Sequence, residues 1–245
     1  MQSEVSPLEN PIWNSLSTNQ VSFATVSPSN DVKRYKVGTI PFISFNPQRD
    51  DVHDDWAKET ISLLEPGEHL YALGHMPKHL QSHQYAGLTI TCLGPIMQME
   101  NKHTSTRDSP SLIHDAVVEI PNDVDGVRHL LELTAVAYPT YFRGGATQLG
   151  RFFGIFKEGK LVAMIGERMG CGSRREMTTI VTHPEWTRRG YASALIAHLA
   201  EIHKMEGKTS WLQVSCSDAG AIRVYQKAGF VERGLVQLWK VHRTE

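Results

Sequence analysis

The hydrophobic pattern is most regular between residues 176 and 200, where a strand pattern is followed by a helix pattern. Residues 177–182 form a largely β-branched run without glycine or proline, which predicts a strand. His183-Pro184 ends this strand, because proline cannot donate to a β-ladder. After a short loop, apolar residues recur at helical spacing and predict a helix with one buried face. They are Ala192, Leu195, Ile196, Leu199 and Ile202.

The pattern before residue 110 predicts a separate α/β unit. Residues 51–64 favour a helix, and residues 70–73 and 88–93 favour short strands. Gly94-Pro95 is expected to break the second strand, after which an apolar/polar alternation resumes. This half therefore has the elements of a small α/β domain.

A polar stretch at residues 100–110 is the candidate linker, which predicts an N-terminal domain of residues 1–110 and a C-terminal domain of residues 111–245. Beyond the linker, a strand at residues 116–120 precedes a helix. Its predicted buried face is Val127, Leu130, Leu131 and Ala135. Residues 152–156 and 161–167 predict a hairpin, and the glycine-rich residues 169–173 predict its connection to the next strand.

The loop between the central strand and its helix has the features of an anion site. Residues 185–190 contain Arg188, Arg189 and Gly190 directly before the helix. A helix N-terminus presents unpaired N–H groups and a partial positive charge, to which the two arginines add full charges. The layout therefore predicts a bound phosphate group.

Two motifs in this half resemble those of the GNAT (Gcn5-related) N-acetyltransferase family. The first is Thr187-Arg188-Arg189-Gly190-Tyr191-Ala192, in which Gly190 and Ala192 fit the pyrophosphate loop of the family, while Thr187 replaces its usual Arg or Gln. The second is the stretch from Asp218 through Tyr225 to Gly229-Phe230. The resemblance implies a mixed α/β fold in residues 111–245, with a splayed, mostly antiparallel sheet flanked by helices. The smaller N-terminal α/β domain could be a degenerate copy of that fold.

The resemblance also implies a reaction, acetyl transfer from acetyl-CoA to a primary amine by direct attack in a ternary complex. It assigns cofactor contacts to the pyrophosphate loop, the strand end and the second motif: Arg188, Arg189, Gly190, Tyr191, Ala192, Ser193, Ile180, Val181, Thr182 and Asp218. Tyr225 is the expected proton donor to the leaving thiolate, and Glu176 is the leading candidate for the general base, with His183 and Glu167 as weaker ones.

Several candidate residues also have a purely structural interpretation. Glu176 could be a solvated carboxylate or pair with Arg174 or Arg175, which would lower its pKa. Tyr225 could be a core residue, and Asp218 fits a helix N-cap. Cys171 is expected to be an exposed loop thiol.

The histidines at positions 75, 79 and 83 are spaced as metal ligands on one helix face would be. Pro77 and the polar surroundings favour a turn, so we expect no metal site.

Composition narrows the partners. The net charge of the 245-residue chain is −1, which argues against nucleic acid or an anionic membrane as partner. Three scattered cysteines and no signal-like N-terminus favour a cytoplasmic setting. We expect a small-molecule amine as the acceptor. Whether the protein forms a homodimer stays open. Two alternatives remain, a non-catalytic acyl-CoA-binding regulatory module and a protein N-acetyltransferase.

Overall fold

A computed structural model of the chain describes residues 6–49, 55–82, 84–102, 116–137 and 142–244. The chain divides into two compact units. Unit 1 consists of Met1–Ile96, Gly170–Gly172 and Leu235–Glu245, and unit 2 consists of Met97–Met169 and Ser173–Gly234. The predicted domain boundary between residues 110 and 111 lies outside the described residues and stays a prediction.

Unit 1 is built from short elements. They are α1 (Pro11–Ser17), β1 (Ala24–Val26), β2 (Val32–Tyr35), β3 (Ile43–Phe45), α2 (Asp55–Ser62), β4 (His69–Leu73) and α3 (Lys78–Ser82). Strands β1, β2 and β3 form an antiparallel sheet in that order. The buried side chains of Phe45 and Trp56 meet edge to face, with ring centroids 6.0 Å apart, and join α2 to this sheet.

The remaining elements begin with a long strand. They are β5 (Leu88–Asn101), β6 (Val118–Ile120), α4 (Val124–Ala137), β7 (Phe152–Lys157), β8 (Lys160–Cys171), β9 (Arg174–Thr182), α5 (Tyr191–Met205), β10 (Thr209–Ser215), α6 (Ala219–Lys227) and β11 (Phe230–Arg243). Strands β5, β8 and β11 contribute residues to both units. In unit 1, the C-terminal part of β11 pairs antiparallel with β4.

In unit 2 the strands follow the order β11-β5-β10-β9-β8-β7-β6. The pairs β6–β7 and β7–β8 are antiparallel, and two residues join β8 to β9 as a hairpin. The pair β9–β10 is parallel. The sheet is therefore mixed and mostly antiparallel with flanking helices, and the predicted fold class is confirmed.

The core of unit 2 lies between α5 and the sheet. Leu195, Ile196 and Leu199 are fully buried in one apolar cluster with Met177 of β9 and Leu212 of β10. These three leucine and isoleucine residues were predicted from helical spacing, and the helix that carries them begins directly after the loop with the candidate anion site. Packing of this face therefore fixes where the N-terminus of α5 points.

Three local predictions were wrong. Strand β5 continues through Gly94-Pro95, because Gly94 adopts a φ of 98°, which keeps the strand running where another residue would be strained. On α4 the buried residues are Gly126, Leu130, Leu133 and Thr134, whereas Leu131 is 43% exposed. Gly126 lies so close to the preceding loop that an added Cβ would be 1.9 Å from the carbonyl oxygen of Pro121, which turns that side of the helix inward.

The third concerns Cys171, which is fully buried in β8 instead of lying in an exposed loop. Its Sγ lies 3.4 Å from the carbonyl oxygen of Pro11 as a hydrogen-bond donor. The strand extends further into the glycine-rich stretch than the sequence suggested.

Candidate functional site

Strand β9 leads to the site and is irregular near its end. Thr179 has a φ of 50°, a conformation that is rare for a β-branched residue and typical of a local bulge. The three residues that follow, Ile180, Val181 and Thr182, are half-buried. The backbone N–H of His183 donates to the carbonyl of Val162 at 2.8 Å, which fixes the strand end.

The parallel ladder between β9 and β10 is short. It joins Arg174, Arg175 and Glu176 to Thr209, Ser210 and Trp211. Residues 180–182 lie beyond this register, so their backbone groups on the β10 side have no partner strand in the ladder. An edge of this kind can pair with the amides of an extended ligand, as an added strand would.

The loop after β9 ends in two left-handed residues. A short 3₁₀ helix at Pro184–Trp186 is followed by Arg188 with a φ of 60° and Gly190 with a φ of 82°. Gly190 is the N-cap of α5 and provides no side-chain hydrogen bond to its first turn. The N–H groups of Tyr191, Ala192 and Ser193 are therefore left without a side-chain cap, as an anion site at a helix N-terminus requires.

Two arginines and two aromatic rings surround this N-terminus. Arg188 and Arg189 are exposed. The guanidinium of Arg189 lies over the ring of Trp186, 4.4 Å from its centroid, and that ring stacks on Tyr191 with centroids 6.4 Å apart. The cation–π contact holds one positive charge beside the uncapped turn, which adds to the attraction for an anion.

Helix α6 carries the second predicted motif. Asp218 is its N-cap and accepts a hydrogen bond from the N–H of Ala221 at 2.9 Å. The N-cap interpretation is thus confirmed. Tyr225, in the last turn of α6, is half-buried, and its ring lies 6.3 Å from that of Phe230.

Glu176 is fully buried on β9, in contrast to the solvated carboxylate that the sequence allowed. Its two oxygens accept from Arg168 at 2.7 and 2.9 Å, from Gln213 at 2.9 Å and from the N–H of Met169 at 3.3 Å. Arg174 instead pairs with Glu100, and Arg175 is directed towards Glu167. Neither alternative for Glu176, a solvated carboxylate or a pair with Arg174 or Arg175, is found, because the hairpin brings Arg168 of β8 opposite it.

A second buried network joins β8, β10 and α5, and of its members only Glu167 was named from sequence. Glu167 Oε1 lies 2.9 Å from His203 Nε2, and His203 Nδ1 lies 2.9 Å from Ser210 Oγ. Arg151 donates to Glu167 through its backbone N–H and its guanidinium. Burial favours the neutral acid, but the hydrogen bonds from His203 and Arg151 outweigh it and hold the pKa of Glu167 well below its usual range. A carboxylate that holds its proton so weakly is a poor general base.

The remaining candidates are simpler. His183 accepts a hydrogen bond from the N–H of Glu185 at its Nδ1, 3.3 Å away, so that nitrogen is occupied. Within the described ranges, no group of three or more His, Cys, Asp or Glu side chains is placed to hold a metal ion. His83, one of the three spaced histidines, lies outside those ranges. Of the helices that the structure describes, none is both long and apolar enough to cross a membrane.

Comparison with known proteins identifies the family of this domain. Residues 124–230 match the family model "Acetyltransferase (GNAT) family". A 54-residue stretch is 41% identical to the [ribosomal protein bS18]-alanine N-acetyltransferase of Escherichia coli K12, and the match covers 22% of this chain and 36% of that protein. The chain thus spans about a third of the length of the curated relatives it matches. Residues 124–230 are therefore a GNAT acetyltransferase domain, and the predicted family is confirmed for this part of the chain.

Solved structures extend the similarity to the whole chain. A protein assigned to the GNAT family from Novosphingobium aromaticivorans DSM 12444 is 24% identical and covers 98% of this chain and 99% of its own, with a TM-score of 0.81. A GCN5-related N-acetyltransferase from Kribbella flavida is 14% identical and covers 99% and 97%, with a TM-score of 0.62. At these identities the likeness shows the fold.

Proposed function

We propose that the chain is an acetyl-CoA-dependent N-acetyltransferase that acts on a primary amine of a small-molecule or amino-acid-like acceptor. The observation that carries the proposal is the N-terminus of α5, which has no side-chain cap and lies beside two exposed arginines directly after β9. This arrangement matches a pyrophosphate in charge and in hydrogen-bonding capacity.

The residues present fit acetyl-CoA as co-substrate. The N–H groups of Tyr191, Ala192 and Ser193 would hold the pyrophosphate, with Arg188 and Arg189 neutralising its charge. Gly190 leaves this cradle open, since it has no Cβ. The backbone of Ile180, Val181 and Thr182 would pair with the pantetheine amides beyond the β9–β10 ladder. Asp218 is a weaker contact, because its carboxylate already caps α6.

The reaction balances as a direct transfer. The amine nitrogen attacks the thioester carbon, the new C–N bond forms, and the C–S bond breaks. The proton lost by the amine goes to a base, and the departing thiolate takes a proton from the hydroxyl of Tyr225. A strand N–H near Val181 would stabilise the charge that develops on the carbonyl oxygen.

Glu176 is proposed as the base, and its surroundings define how that role is tested. Its bonds with Arg168, Gln213 and Met169 fill much of its accepting capacity. A base role predicts that Glu176→Gln removes the acidic limb of the pH profile of kcat/KM, with unchanged affinity for acetyl-CoA. If the variant keeps the shape of that profile and loses only stability, the base role is excluded and Glu176 serves the ion pair with Arg168.

The experiment for the proposed function is release of free CoA from acetyl-CoA in the presence of amines, amino acids and polyamines. Tyr225→Phe should lower kcat by about 10²- to 10⁴-fold, the usual contribution of a general acid, and leave CoA affinity unchanged. Tyr71→Phe is the matched control, because Tyr71 is a half-buried tyrosine on β4 of unit 1. Equal rates for Tyr225→Phe and wild type would contradict the proposed role.

A protein acceptor is the second candidate, and the similarity to an enzyme that acts on a ribosomal protein favours it. The panel therefore includes a peptide with an N-terminal alanine, which separates protein from small-molecule acceptors. If acetyl-CoA binds tightly and no acceptor causes the release of free CoA, the result would instead support a non-catalytic acyl-CoA-binding module.

A further inference from the structure

Unit 2 contains a cavity of about 440 Å³ at the opposite end of α5 from the pyrophosphate loop, and both charged and apolar residues line it. Glu206 and Lys208, which follow α5, line it together with Arg151, Glu167 and Arg175. Helix α5 has 15 residues and is therefore about 22 Å long. The cavity is thus separate from the proposed acetyl-CoA site, and its volume is typical of a site for a small molecule.

Three cations line this cavity, and two of them are already satisfied. Arg151 forms ion pairs with Glu167 and Glu206, at 2.7 and 2.8 Å. Lys208 pairs with Glu206 at 2.6 Å. These groups form a fixed polar wall, because each charge has an opposite charge within hydrogen-bond distance.

Arg175 differs from both. Its side chain is 21% exposed, and its Nε lies 4.0 Å from Glu167 Oε1, which is too far for a hydrogen bond. Its guanidinium donates to no side chain of the described residues at a shorter distance. Glu167 cannot move towards it, since Arg151 and His203 already hold that carboxylate. The Arg175 guanidinium therefore lines the cavity with donors that a ligand carboxylate can use.

We propose that this cavity is a second ligand site, which binds a small molecule through its carboxylate with Arg175 as the anchor. A planar carboxylate matches the guanidinium fork and can accept two parallel hydrogen bonds. Glu119, which also lines the cavity, has no ion pair within the described residues and would suit an ammonium group on the same ligand. Amino acids and simple carboxylic acids are therefore the two sources to distinguish.

The test measures binding of acetate, succinate, L-alanine and L-glutamate to the full chain by calorimetry and thermal shift, with inorganic phosphate as a further probe. We expect saturable one-to-one binding of at least one carboxylate. Arg175→Gln should weaken it about 10- to 100-fold, the usual effect of losing a charge-assisted pair. Tighter binding of the amino acids than of acetate and succinate would identify a zwitterionic ligand.

Two controls separate the effect of Arg175 from that of a neighbouring arginine and from that of the acetyl-CoA site. Arg174→Gln removes the neighbouring arginine, which pairs with Glu100 and does not line the cavity, and should bind like wild type. Gly190→Glu should also keep carboxylate affinity, whatever it does to acetyl-CoA. If Arg175→Gln fails to fold, Arg175→Lys replaces it and should also weaken binding, because it loses the fork geometry.

The proposal is overturned if none of the carboxylates binds, if phosphate alone binds, or if the Arg175 variant binds the carboxylate as tightly as wild type.

Discussion

Glu176 and Arg168 form a bidentate ion pair across the β8–β9 hairpin, with 2.7 Å between Oε1 and Nη2 and 2.9 Å between Oε2 and Nε. The glutamate side chain is 0% exposed, and that of the arginine is 21% exposed. Because the pair lies where the β9–β10 ladder ends, it supports the backbone that leads to the candidate site.

Removing Arg168 should therefore be much more harmful than removing a surface arginine. Arg168→Met leaves a buried carboxylate with only Gln213 and one N–H as partners, and we expect it to lower the free energy of unfolding by about 3 kcal/mol. The control is Arg128→Met, because Arg128 is 51% exposed and pairs with exposed carboxylates, so its loss should change the free energy of unfolding far less. Urea denaturation measures both, and equal losses would contradict the buried pair.

The buried Glu167 should make the free energy of unfolding depend on pH in the acidic range. Its pKa is lowered in the folded state, because bonds from His203 and Arg151 outweigh the effect of burial. Its contribution is therefore present above the ordinary glutamate pKa of about 4.3 and is lost as the pH falls from there towards the folded-state pKa. The free energy of unfolding should fall more steeply below about pH 4.3 in wild type than in Glu167→Gln. Glu232→Gln, an exposed site, controls for the loss of one carboxylate. Parallel curves for wild type and Glu167→Gln would be the contrary result.

The three cysteines should differ in reactivity. Cys92 and Cys216 are exposed, whereas Cys171 is fully buried in β8. A thiol reagent should modify two thiols quickly in the native protein and the third only after denaturation. Cys171→Ala should keep both fast thiols. Rapid modification of all three in the native wild type would show that β8 opens at this position.

The sequence predicted the elements that local patterns define. Strand β9, helix α5 and the loop between them follow from a β-branched run, a proline and helical spacing, all between residues 177 and 202. Leu195, Ile196 and Leu199 are buried as predicted. The anion site in that loop was predicted from the chemistry of a helix N-terminus, which depends only on residues that are neighbours in sequence.

What the sequence did not reveal depends on residues that are distant in the chain or on close backbone packing. Glu176 was identified as a candidate, but its partner Arg168 lies on another strand, and strand register decides that contact. The Glu167–His203–Ser210 network joins three elements in the same way. On α4, the clash that any side chain at Gly126 would have with Pro121 overrides the face that hydrophobicity favoured. Burial of polar groups is thus the part of the site that pattern alone leaves open.

The most direct test of the account is the affinity for acetyl-CoA of Gly190→Glu and Gly207→Glu, measured by calorimetry beside wild type. Both glycines have a positive φ, 82° and 67°, and they lie at the two ends of α5, so both substitutions bring similar backbone strain and the same charge. If the N-terminus of α5 holds the pyrophosphate, Gly190→Glu abolishes measurable binding and Gly207→Glu binds like wild type. Wild-type affinity in Gly190→Glu, or no binding of acetyl-CoA by the wild type, would contradict the central claim.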